Sequence, residues 1–153
     1  MPNAKYIKKT VEQLISAYKT SNPFRLAEAL GIEIKFCKLG SLKGLYTVQH
    51  NIPYIVINID LDSTTANIIC AHELGHDRLH KRLAHSRILN EYEMYLINTK
   101  SELEANTFAA HLLISDEALD VLKDYNYNIY ETAAILGTTP ELLEIKINHT
   151  PDE

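Results

Sequence analysis

The chain is expected to adopt an α+β fold, a small three-stranded antiparallel sheet packed with six or seven helices. Two observations predict it. Residues 32–58 carry three short stretches of strand character joined by short turns. On both sides lie segments with helical periodicity, punctuated by capping residues, prolines and glycines. The composition agrees: 153 residues, 46% hydrophobic and 23% charged, suffice for one domain with a buried core.

Taken in order, Tyr6, Val11, Leu14, Ile15 and Tyr18 recur near a 3.6-residue spacing among Lys8, Lys9, Glu12, Gln13 and Lys19, which predicts an amphipathic helix over 5–20. Asn22 is a suitable N-cap, and Pro23 suits the first position of a second helix closed by Gly31. Residues 32–37 alternate apolar and polar, residues 44–49 read as a second strand, and His50-Asn51 turns into Pro53 to Asn58, the strongest strand signal. Asp62 or Ser63 caps a helix over about 63–80. Residues 81–100 read as a long connection with a helical turn inside. Ser101 and Glu104 match a capping box, S-x-x-E, opening a helix to Ile114. Further helices are expected from Ser115 to Asp124, Tyr130 to Leu136 and Pro140 to Ile147. The expected organisation is one domain over 1–153, with N-terminal helices in 1–31, the sheet in 32–58, the two central helices in 60–114 and C-terminal helices in 115–153.

A net charge of -5 argues against a protein whose main task is to grip nucleic acid, and no membrane span or secretory signal is visible. Two cysteines without C-x-x-C spacing indicate no disulfide framework, so a cytoplasmic setting is expected.

The informative chemistry lies in His72-Glu73-Leu74-Gly75-His76, an H-E-x-x-H. Residues four apart on a helix share a face, so both imidazoles can converge on one zinc ion, while Glu73 can act as general base toward a water activated there. A catalytic zinc keeps three protein ligands and an open position. The spacing H-E-x-x-H-x-x-G-x-x-H would supply the third, but Leu79 and Arg82 stand where it needs Gly and His. His80 continues along the same helix and is expected to be a neighbour of the site. The better third ligand is Glu102. Glu102, Ala105, Asn106 and Ala109 share one helical face whose small residues permit close approach, and Asn106 could hydrogen-bond a ligating imidazole from behind. Glu104 is turned about 200° from Glu102, at about 100° per residue, and its capping role accounts for it. For the developing oxyanion His80, His85, Tyr92 and Tyr95 remain open candidates.

These residues resemble a known family. His72-Glu73-Leu74-Gly75-His76 with Leu79-His80, then Glu102-Leu103-Glu104-Ala105-Asn106, Phe108-Ala109-Ala110 and Leu112-Leu113, are similar to the ImmA/IrrE zinc metallopeptidases of phages and mobile elements. Ala27 to Ile32 and Ile55 to Asn58 resemble it too. The resemblance implies a zincin-like fold, Glu102 as third ligand (a gluzincin-like set), Glu73 as catalytic base, and cleavage of a helix-turn-helix repressor, which makes the protein an anti-repressor. Any DNA-binding partner is then expected to be a separate polypeptide. The proline the family usually places after Leu-Leu is absent at Ile114.

Blander readings compete with each residue. The histidines could be polar members of a buried helix, Glu102 a first-turn helix charge, Asn106 a packing residue, and Cys70 a small core residue on the wrong face for the site. Residues 24–31 and 132–140 faintly resemble helix-turn-helix halves, but A-x-x-L-G is a common glycine-capped helix end. The functional alternative is a non-proteolytic module that sequesters a transcription factor.

Overall fold

A computed structural model describes residues 3–85 and 91–149, with side chains described outside 81–85 and 91–99. The helices are α1 (Ala4–Tyr18), α2 (Pro23–Ala29), α3 (Ser63–His85), α4 (Glu91–Leu113), α5 (Asp116–Lys123), α6 (Ile129–Leu136) and α7 (Pro140–Asn148). The strands are β1 (Glu33–Cys37), β2 (Gly44–Gln49) and β3 (Ile52–Asn58).

Local chemistry sets most boundaries. Asn22 accepts hydrogen bonds from the backbone N–H groups of Phe24 and Arg25, with Pro23 opening α2. Asp62 Oδ1 accepts from Thr65 N at 2.7 Å at the start of α3. Gly137 closes α6 in the left-handed region at φ 67. The β2–β3 turn places His50 and Asn51 at φ 52 and 64, the double positive-φ turn whose twist matches a hairpin.

The sheet differs from the expected antiparallel meander. Its order is β1-β3-β2; β2 pairs antiparallel with β3, but β1 pairs parallel with it. β3 is the most apolar strand, with Ile55 and Ile57 fully buried, so it takes the central position with ladders on both sides. The chain between β1 and β2 must therefore pass to the far edge. Asn58 anchors that passage: its Nδ2 donates to the carbonyls of Gly40 and Leu42, and its backbone N–H to Lys43 O.

The expected connection over 81–100 is largely helical. α3 runs on to His85, with residue 80 out of helical geometry at φ −128, ψ 19, and α4 begins at Glu91. Residues 91–113 contain neither Gly nor Pro, so nothing stops a helix there. Ser101 is consequently a buried interior residue of α4, and the expected capping box at Ser101–Glu104 does not form.

The core joins α1, α2, the sheet, α3, α4 and α7 through Val11, Leu26, Ile55, Ile57, Leu74, Phe108 and Leu143, all buried. Cys70 is buried in it, its thiol pushed up to about 12 by desolvation and the nearby Glu73 charge. Gly75 is where α3 meets α4: a Cβ there would lie 3.1 Å from Phe108 Cβ and 3.2 Å from Ala105 Cα and O.

At the other end of α4, buried Lys146 bonds Asp116 at 2.7 Å and lies 3.2 Å from His111 Nδ1, while Lys8 bonds Asp116 at 2.9 Å. Burial, reinforced by the Lys146 and Lys8 charges, pushes His111 down to about 4. Between pH 6.5 and 4 the unfolded chain protonates this residue and the folded chain does not, so stability is full above 6.5 and falls with pH across that window. The gap corresponds to about 3 kcal/mol as an order of magnitude. His111→Gln should remove that part of the acid slope, measured by urea unfolding at pH 7.5 and 4.5; an unchanged slope would contradict the assignment.

Candidate metal centre

α3 rests on the sheet and against α4, and these two contacts build the site. Gly44, the first residue of β2, permits the close approach of β2 to α3. A Cβ there would collide with the Ile69 side chain and lie 3.7 Å from Glu73 Cγ. Tyr46 of β2 donates its hydroxyl to buried Asp77 at 2.6 Å, and Arg78 Nε donates to the other Asp77 oxygen at 2.8 Å. Burial and the hydrogen bond to Asp77 raise the Tyr46 phenol above its ordinary value, keeping it a neutral donor. This tie holds the strand against the turn that carries His76.

α4 crosses α3 at Gly75, a glycine followed in the contact by Ala105. The close approach brings Glu102 over the two histidines. His72 Nε2 lies 2.8 Å from Glu102 Oε2, and His76 Nε2 lies 2.8 Å from Glu102 Oε1. The three side chains place one ligand atom each within 4.8 Å of one another. His72 and His76 are 12% and 13% exposed at the side chain and Glu102 is 52% exposed, so the two imidazoles are largely covered while the carboxylate meets solvent.

Hydrogen bonding behind the cluster decides what its front can do. His72 Nδ1–H donates to Asn106 Oδ1 at 2.8 Å. In the neutral ring that leaves a lone pair on Nε2, facing a carboxylate oxygen. Two acceptors at that distance require a cation between them, either a proton or a metal ion. Two imidazoles and a carboxylate are a donor set that suits zinc and other divalent transition metals, so the cluster could hold a divalent ion.

The electrostatics follow the same geometry. The hydrogen bonds from His72 and His76 hold Glu102 far below the usual carboxylate range. Burial by itself would lower His72, but its bond to Glu102 and the charges of Glu73 and Glu102 bring it out above its ordinary value. Glu73 is buried, and desolvation raises its pKa against the opposing pull of the two histidines.

The structure brings together His72, Glu73, His76, Glu102 and Asn106, all singled out by the sequence. Two expectations need correction. Glu104 does not cap a helix: it is buried inside α4 with Oε1 3.4 Å from His80 Nε2. His80 neighbours the site as expected, but as an oxyanion candidate it is buried, with Nδ1 3.0 Å from His76 Nδ1 and Nε2 facing Glu104. Burial, then the His76 charge, lowers its pKa. The side chains of His85, Tyr92 and Tyr95 lie outside the described residues. Sequence reasoning missed the Tyr46–Asp77 tie, which joins residues far apart in the chain and has no local signature. It also missed the His80–Glu104 contact, whose one signal is the third histidine at i+8 of the same helix.

Among the described residues no helix is long and apolar enough to cross a membrane. Residues 27–148 match the Peptidase_M78 family model, described as an IrrE N-terminal-like domain. The chain is 36% identical over 141 residues to "Uncharacterized immunity region protein 2" of Bacillus phage phi105, covering 92% of this chain and 88% of that one. It is 30% identical over 122 residues to "Metallopeptidase ImmA" of Bacillus subtilis (strain 168), covering 80% of this chain and 71% of that one.

Proposed function

Because the chain belongs to the Peptidase_M78 family of IrrE N-terminal-like domains, we propose that it is a zinc-dependent endopeptidase of gluzincin-like type, in which His72, His76 and Glu102 hold the metal and Glu73 is the general base. One observation carries the reading: three ligand atoms of the right chemical kind converge within 4.8 Å beside a buried carboxylate.

A bound zinc ion supplies Lewis acidity, polarising a scissile carbonyl and making a neighbouring water acidic near neutral pH. The chain's own residues do the rest. Asn106 fixes the His72 ring so that Nε2 faces the cluster. Glu73 sits in the turn between the two histidines. Its raised pKa suits a group that takes a proton from the attacking water and returns it to the departing amine. The half-exposed Glu102 keeps the cluster in contact with solvent, from which a peptide can approach it.

The substrate we propose is a helix-turn-helix repressor, which makes the protein a phage-type anti-repressor in the cytoplasm without direct contact to nucleic acid. The likeness to a phage immunity region protein and the net charge of -5 support this. The test is co-expression with a candidate helix-turn-helix repressor from the same genome, followed by intact-mass analysis. Two fragments whose masses sum to the repressor plus one water are expected. An intact repressor in the presence of zinc-loaded protein would refute this substrate.

A further inference from the structure

The Glu104–His80–His76 chain carries an inference that rests on the metal-site reading above and extends it. His76 has the same need as His72: for Nε2 to present a lone pair at the cluster, Nδ1 must carry the proton and donate it to something. For His72 that acceptor is Asn106. For His76 the atom within reach is His80 Nδ1, at 3.0 Å. An imidazole nitrogen accepts only if it is unprotonated, so His80 must carry its own proton on Nε2. That nitrogen faces Glu104 Oε1 at 3.4 Å. His80 and Glu104 are both buried, at 6% exposure each, and among the described residues Glu104 Oε2 has no hydrogen-bond partner. The break in helical geometry falls on His80 itself.

We infer that His80 and Glu104 are positioning residues for the metal centre: Glu104 accepts from His80 Nε2–H, His80 Nδ1 accepts from His76 Nδ1–H, and His76 Nε2 is thereby turned toward the ion. The two ligating histidines are thus held by different devices, an amide oxygen behind His72 and a carboxylate–imidazole pair behind His76.

The test measures zinc affinity of the full chain by chelator competition, and the visible spectrum of the cobalt(II)-substituted protein, for wild type, His80→Leu, His80→Asn and Glu104→Gln. His80→Leu should weaken zinc by about 10- to 100-fold, the range typical of lost partners behind a ligand. His80→Asn places an amide oxygen near the lost Nδ1, repeating the Asn106 arrangement, and should recover most of the affinity. Glu104→Gln keeps an acceptor oxygen and removes the charge, so the cobalt bands should shift while zinc still binds. The inference is overturned if His80→Leu binds zinc like wild type, or if the Asn and Leu variants lose affinity equally. If His80→Leu does not fold, wild-type affinity and unshifted bands in Glu104→Gln overturn it. Wild type without zinc binding would instead refute the metal site itself, which separates the two failures.

Discussion

Glu73→Gln should hold zinc as wild type does and lose repressor cleavage by about 10²- to 10⁴-fold, the range for removing a general acid–base. Gln is nearly isosteric, so the packing of Glu73 in the floor of the site is kept. Folding stability should be unchanged or raised. Burial raises the Glu73 pKa, so the ionised group opposes folding above that pKa, and a neutral amide lacks this penalty. Intact-mass analysis of co-expressed repressor measures the loss, and chelator competition measures the metal. The same variant separates proteolysis from sequestration. If Glu73→Gln relieves repression in cells as well as wild type does, binding is the function and hydrolysis is not.

The second large effect is expected at Gly75. On an exposed helix, Gly→Ala gains about 1 kcal/mol from backbone propensity. Here the new Cβ would lie 3.2 Å from two backbone atoms of Ala105, so relief requires the two helices to move apart by a few tenths of an ångström. Overpacking of this kind costs about 1–3 kcal/mol, which offsets or exceeds the propensity gain. Gly75→Ala should therefore be neutral to destabilising, and Gly75→Val destabilising by about 3 kcal/mol or more once the branched side chain is added. Both should weaken zinc, because moving α4 away carries Glu102 from His76. Urea unfolding and metal competition measure the two effects. A Gly75→Ala variant that gains the full propensity increment and binds zinc normally would contradict the contact.

What could be read from the sequence depended on range along the chain. The H-E-x-x-H geometry is local, and so is the i, i+4 relation of Glu102 and Asn106; both placements follow from helical spacing alone. The family resemblance and the small-residue face of Ala105 and Ala109 pointed to Glu102, and α4 does lay it over the two histidines. Glu104 was misread because S-x-x-E has the same spacing inside a helix as at its start. Only the helical run from Glu91 distinguishes the two. The strand order was not legible for a similar reason. Alternation identifies strands, but which strand takes the centre depends on pairing between distant segments, and the burial of Ile55 and Ile57 decided for β3. The tie between Tyr46 and Asp77 joins a strand to a helix and leaves no pattern in either.

The proposed chemistry depends on His72, His76 and Glu102 forming one divalent-metal site. Zinc titration of metal-free protein, read by chelator competition for wild type and Glu102→Ala, tests it most directly. One equivalent of tightly held zinc is expected in wild type, and a loss in Glu102→Ala well beyond the 10- to 100-fold expected from a partner behind a ligand. Wild type that takes up no zinc, or a Glu102→Ala variant that binds it equally well, would contradict the site.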